Sequence, residues 1–197
     1  MVFQSVRALR RQAPPSGYFL ATVIGHLRAE KDPFRAVVAL AHLSPDLNIR
    51  VVQLGGAMSD QHGSEARALM LAEPRYRWLG EVDHAGAMRW LARSHVMVIS
   101  SVMEGGAHVV SEAIRLGVPV IASDIPGNVG LLGDDYPGYY PLGDAMALAS
   151  LLACAHGDPV WLASLGVAVK KRQNLVEPAL ERRSLQSLLE HSIGGIT

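Results

Sequence analysis

The stretch Tyr18-Phe19-Leu20-Ala21-Thr22-Val23-Ile24-Gly25-His26-Leu27-Arg28-Ala29-Glu30-Lys31-Asp32-Pro33 decides the fold. Tyr18–Ile24 is an almost continuous apolar run, too short for a helix and without the alternation of a half-exposed strand. A glycine-bearing polar loop, Gly25 to Lys31, follows it. Asp32-Pro33 then reads as a helix N-cap with proline in the first helical position. Strand, glycine loop and helix together form the opening of a βαβ crossover.

The same grammar repeats outward. Strands are expected at 49–54, 76–79, 96–99 and 118–122, with a short sixth at 139–141. Helices are expected between them at 33–43, 60–72, 85–93 and 107–116, and afterwards near 144–156, 159–172 and 178–191. Gly117 stands just past the helix ending at Leu116, where a left-handed cap is favoured, and Pro119 opposes continuation. Apolar strands alternating with helices imply a doubly wound parallel α/β sheet, Rossmann-like, covered on both faces. Residues 1–17 carry Arg10, Arg11 and the Pro14-Pro15 pair and read as an incoming linker.

Hydrophobic residues make up 49% of the 197-residue chain, enough for one substantial core. Lys plus Arg equals Asp plus Glu at 18 each, so the basic excess of a general nucleic-acid binder is missing. Cys154 is the only cysteine, which removes disulfides and cysteine metal sites and fits a reducing, cytoplasmic setting. No segment approaches a transmembrane span of roughly 20 apolar residues.

In such a sheet, ligands bind outside the carboxyl ends of the strands. Three loops at that end carry glycine: Gly25–Lys31, Gly55-Gly56 and Glu104-Gly105-Gly106-Ala107-His108. The last opens a helix whose first N–H groups suit an anion. Arg28 and Lys31 either supply charge to a diphosphate, stabilising a leaving phosphate without a metal, or are solvated surface cations. Glu104 and Glu112 flank the glycine turn. They either read hydroxyls at two ends of a long ligand, or Glu112 pairs with Arg115 or His108 along its helix.

At these residues the sequence resembles the C-terminal domain of the family 4 retaining glycosyltransferases, which have the two-domain glycosyltransferase-B fold. The resemblance covers about residues 18–155. It runs through Val23–Pro33, Gln53-Leu54-Gly55-Gly56, Tyr76–Val82, Glu104–Ala113, Gly117–Ser123 and Pro141-Leu142-Gly143-Asp144, in the family's order. It implies that Glu104 holds the donor sugar as the catalytic carboxylate and Glu112 the ribose. Gly105, Gly106, Ala107, His108 and Val109 would border sugar and phosphates, with Gly25 and Lys31 at the diphosphate. Trp78 and Leu79 would lie beside the base. The family's arginine directly after the first-loop glycine is His26 here, and its role passes to Arg28. His26 is either a packing residue or a phosphate contact. No metal or other cofactor is implied.

A narrower set of segments is similar to the bacterial selenosugar synthases of selenoneine biosynthesis. These are His26-Leu27-Arg28, Lys31-Asp32-Pro33, Arg75–Gly80, Glu104-Gly105-Gly106, Val109–Ala113, Gly130-Leu131-Leu132-Gly133 and Asp135–Tyr139. That resemblance implies a UDP-sugar donor such as UDP-N-acetylglucosamine, and selenophosphate as acceptor.

The chain then reads as residues 1–17, interdomain linker; 18–176, donor-binding domain; and 177–197, a helix directed at a missing N-terminal acceptor domain. Without that domain, the helix's apolar face is left for solvent or for a second copy in a homodimer. Turnover by this chain alone is expected to be poor. An epimerase or hydrolase on the same fold, or a donor-binding module without chemistry, are the competing readings. A dinucleotide dehydrogenase fits poorly, because the first loop lacks Gly-x-Gly-x-x-Gly spacing.

Overall fold

A computed structural model describes residues 9–103 and 108–176. The parallel sheet has six strands in the order β3-β2-β1-β4-β5-β6. The strands are β1 (Phe19–Ile24), β2 (Ile49–Leu54), β3 (Tyr76–Trp78), β4 (Val96–Ile99), β5 (Val120–Ser123) and β6 (Tyr139–Tyr140). The helices are α1 (Arg35–Leu40), α2 (Asp60–Ala72), α3 (His84–Ala92), α4 (His108–Leu116), α5 (Pro126–Leu132), α6 (Ala145–Gly157) and α7 (Pro159–Lys171). The central strands are buried along nearly their whole length, as the unbroken apolar runs require.

The register places Phe19 opposite Ile49 and Ile24 opposite Leu54 on one side of β1, with Ala21 opposite Val96 on the other. Helix α1 packs with α6, while α3 and α4 pack together. Helices α6 and α7 meet at 105°, and α7 then packs against α4. Helix α4 shows how the burial is encoded. Val110, Ala113 and Ile114 are buried at helical spacing, while His108 and Arg115 are exposed. Its end is a Schellman motif: Gly117 has φ +67°, its N–H reaches Ile114 O, and Val118 N–H reaches Ala113 O.

Three expectations change. Asp32 is not an N-cap: it lies at φ 42° and closes a 3-10 turn over Ala29–Lys31, its N–H bonded to Ala29 O. Its carboxylate accepts from Arg35 Nε at 2.7 Å, and α1 begins only at Arg35. That helix ends at Leu40 because Ala41, His42 and Leu43 donate three residues back instead of four. Pro126–Leu132, which contains two glycines, was not expected to be helical; Pro126 at its first position starts it. The segment 178–191 lies outside the described residues, as does the rest of 177–197. No single helix among the described residues is long and apolar enough to cross a membrane.

The outlets of β1 and β2 run in backbone contact. A Cβ built on Gly55, at φ +139°, would lie 2.1 Å from the Gly25 carbonyl oxygen. Leu27 and Ala57 continue the pairing beyond the strands. Gly55→Ala should therefore cost at least about 1–3 kcal/mol. Gly130→Ala, on the exposed side of α5 with open space around its Cα, should gain about 0.4–1 kcal/mol. Urea midpoints of the two variants check the contrast.

At the opposite end of the sheet, residues 9–17 are tied down where Gln12 N–H and Arg11 Nη1 both donate to Ala92 O. Near it, His95 Nδ1 accepts from Leu20 N–H at 2.9 Å, and its ring stacks on Phe19. Burial lowers the imidazole's pKa, with smaller contributions from Arg11 and His156. The native state thus binds this proton less well than the unfolded chain. Stability from His95 is complete above its unfolded value near ~6.5 and is lost as pH falls from there towards the lowered native value. His95→Gln should flatten that part of a stability–pH profile measured by urea unfolding.

Candidate functional site

The sheet order reverses between β1 and β4: α1 carries the chain towards β2, and α4 carries it towards β5. Their outgoing loops diverge and leave a crevice at the carboxyl ends, the position where doubly wound sheets hold ligands. Gly25, His26, Lys31 and Pro33 form one wall, and Ser100 and Ser101 form the other. Val23, Ile24, Gln53, Val98 and Ile99 line its base.

The two walls are fastened to each other. Ser100 Oγ donates to Asp32 O at 3.1 Å, and Val102 N–H donates to Glu30 O at 2.9 Å. Behind the second wall, Ser123 Oγ donates to Ser101 O at 2.7 Å, and buried Asn128 donates to Ser123 O at 2.9 Å. Buried hydroxyls and amides in such a chain satisfy one another, which holds the loops in one arrangement. The left-handed Asp32 serves the same end, because its displaced carbonyl is the acceptor for Ser100.

Several expected site residues come together. Gly25 and Lys31 face the crevice, and the Lys31 stem passes beside Gly25 with room for a side chain between them: a Cβ at Gly25 would sit in ordinary contact, 3.9 Å from Lys31 Cγ and Cδ. His26 joins them, with Nδ1 3.5 Å from a Cβ built on Gly56. Arg28 does not line the crevice. It is exposed at the head of the 3-10 turn and makes no side-chain hydrogen bond or ion pair among the described residues.

Trp78 is committed to the scaffold as well as to the rim. Its indole Nε1 donates to Gly55 O at 2.8 Å, fixing the glycine whose backbone abuts Gly25. Leu79 follows at the strand end, 37% exposed. His108 and Val109 begin α4, exposed and half-buried respectively. Glu112 lies one turn further, roughly 6 Å along the axis from His108. Its side chain is only 14% exposed, and Oε1 accepts from His84 Nε2 at 2.6 Å. Arg115, the helix partner considered from sequence, stands 4.0 Å from the same oxygen; His108 is not a partner. Glu104, Gly105, Gly106 and Ala107 lie outside the described residues.

Besides Ser100 and Ser101 of the second wall, two contributors were not singled out from sequence. Gln53 is the penultimate residue of buried β2, at the crevice base: Oε1 accepts from Tyr76 Oη at 2.8 Å, while Nε2 is buried with no partner among the described residues. A polar residue near the end of an apolar strand was the available signal. His84 gave none, because its role depends on α3 lying beside α4.

The class defined by this fold and crevice is a doubly wound α/β domain that holds ligands at its switch point. Residues 6–173 match the model of the glycosyl transferases group 1 family, and the chain belongs to that family. The architecture is shared with solved glycosyltransferases of the glycosyltransferase-B fold. HepE from Anabaena in complex with UDP superposes with TM-score 0.75 at 18% identity, over 91% of this chain and 49% of that one. Sucrose-phosphate synthase from Thermosynechococcus elongatus gives TM-score 0.76 at 23% identity, over 93% and 47%. A glycosyltransferase from Rickettsia africae gives 0.73 at 15%, over 90% and 48%. The chain thus spans about half the length of each of these structures.

Trp78→Phe keeps the ring but removes the N–H that Gly55 O accepts. It should cost about 1 kcal/mol of stability, measured by urea unfolding.

Proposed function

We propose that this chain is the donor-binding domain of a retaining glycosyltransferase and that its crevice takes the diphosphate of a nucleotide sugar. The observation that carries the reading is the crevice wall itself, where Lys31 and the Gly25 backbone face Ser100 and Ser101 across the switch point. Glycine lets a phosphate come close to the main chain, and a lysine ammonium supplies the compensating charge.

Glycosyl transfer breaks the bond between the anomeric carbon and the diphosphate, so negative charge grows on the departing phosphate. Lys31 stabilises that charge as it forms, and Arg28, exposed three residues before it, is a second cation outside the crevice lining. Glu112 takes the ribose hydroxyls, since an ionised carboxylate is an acceptor for both members of a diol. Glu104 serves the sugar in the same way. Trp78 and Leu79 border the base.

For the donor we infer a UDP-sugar. HepE, a structural neighbour, was crystallised with UDP, and the resemblance of segments such as His26-Leu27-Arg28 and Arg75–Gly80 to the selenosugar synthases implies UDP-N-acetylglucosamine with selenophosphate as acceptor. The acceptor side belongs to a second α/β domain across the cleft. Turnover by this chain alone should therefore fall far below that of a version joined to such a domain, and equal rates would contradict the assignment.

Calorimetric titration with UDP, GDP, ADP and UDP-N-acetylglucosamine tests the donor. Uridine compounds should bind most tightly. Glu112→Gln should weaken UDP binding by roughly 1–3 kcal/mol, and Lys31→Met by a similar roughly 1.5–3 kcal/mol. Uridine itself should be insensitive to Lys31→Met. Equal affinity for the three bases, or a Lys31→Met variant that binds UDP normally, would overturn the reading.

A further inference from the structure

A hydrogen bond near the carboxyl ends of the strands joins two successive crossovers, β3 to β4 and β4 to β5, of which the first spans strands that are not neighbours. Helix α3 leaves β3 at the sheet edge and returns to β4, passing β2 and β1. It thereby comes to lie against α4. His84 is the first residue of α3, and its Nε2 is 2.6 Å from Glu112 Oε1. An ionised carboxylate only accepts, so the imidazole N–H donates.

The arrangement around this pair is one-sided. Arg115 Nη2 approaches the oxygen already used, at 4.0 Å. Oε2 accepts no hydrogen bond among the described residues, although the side chain is mostly buried. The His84 backbone is fixed in turn: the Asp83 carboxylate caps α3 by accepting from Gly86 N–H at 2.8 Å, with Arg89 Nη2 3.9 Å from the same oxygen. The His84 ring itself is 75% exposed, so packing does not explain its position.

We propose that His84 is a positioning residue for the nucleotide's ribose: it holds one oxygen of Glu112 so that the other is presented to the diol. This rests on the reading of Glu112 as the ribose ligand. A glutamate side chain has three rotatable bonds, and ordering it before the ligand arrives removes that entropic cost from binding. The bond to His84 supplies the ordering, and it leaves a single acceptor oxygen whose hydroxyl partners must be correctly spaced.

The test is calorimetry of the full chain with UDP and 2′-deoxy-UDP, across wild type, His84→Ala, His84→Gln, Glu112→Gln and the His84→Ala/Glu112→Gln double variant. Wild type should prefer UDP. His84→Ala should lose roughly threefold to tenfold in UDP affinity and most of the preference, with 2′-deoxy-UDP little affected. His84→Gln retains an N–H donor and should restore the preference. In the Glu112→Gln background, removing His84 should change nothing further.

If His84→Ala keeps the wild-type preference while Glu112→Gln loses it, the role of His84 is overturned and the ribose assignment stands. An equal loss for both nucleotides in His84→Ala also overturns it, since that marks a general structural effect. A preference that survives Glu112→Gln removes the ribose assignment, and the role of His84 with it.

Discussion

Everything at the carboxyl end of this sheet depends on two main chains passing in contact at Gly55 and Gly25. The β1 and β2 outlets are as close as backbones can be, because a side chain at Gly55 would occupy the space of the Gly25 carbonyl. Gly55 N–H reaches Gly80 O, and Gly55 O receives the Trp78 indole. Leu27 N–H then reaches Gly56 O, and Met58 N–H reaches Leu27 O. Three successive strand outlets become one hydrogen-bonded mat. The Gly25–Lys31 loop is held as an extension of the sheet rather than as a free surface loop, and so its lysine stands over the switch point.

The other wall is built by different means. Ser100, Ser101, Ser123 and Asn128 are all nearly inaccessible to solvent, and they relay hydrogen bonds from the β4 outlet into the first turn of α5. Such polar groups cost stability when buried without partners. Here most are paired, and their pairing fixes a backbone that hydrophobic packing alone would leave with several arrangements. Asn128 Oδ1 and Gln53 Nε2 are exceptions among the described residues. The second sits at the crevice base, where an unspent donor is available to whatever enters.

Much of the fold was legible in the sequence because it is written in patterns that repeat. Short apolar runs gave all six strands to within a residue or two. Ser59, Asp83, Asp144 and Asp158 cap helices with their own side chains, and Gly117 ends α4 where expected. The first failures were local. Asp32-Pro33 has the sequence of a helix start, yet the carbonyl at Asp32 is needed by Ser100, a partner 68 residues away, and that tertiary demand turns Asp32 into a left-handed stop. Helix α5 was hidden because its glycines argue against a helix, while buried Asn128 and Leu132 anchor it from outside.

The site itself divides along the same line. Its proposed phosphate side, Gly25 with Lys31, is a matter of backbone course and one cation, and the glycine loop after the first strand contains both. Its proposed ribose side is a matter of side chains from two helices, and nothing in the spacing of His84 and Glu112, 28 positions apart, declares that they touch. Their meeting follows from topology. Because the sheet reverses between β1 and β4, α3 must cross over two strands to reach β4, and the crossing sets its first turn against the first turns of α4. The strand order that opens the crevice therefore also delivers the imidazole to the carboxylate. A rearrangement that closed the switch point would separate His84 from Glu112 as well, so the crevice and the bond to Glu112 stand on one topological fact.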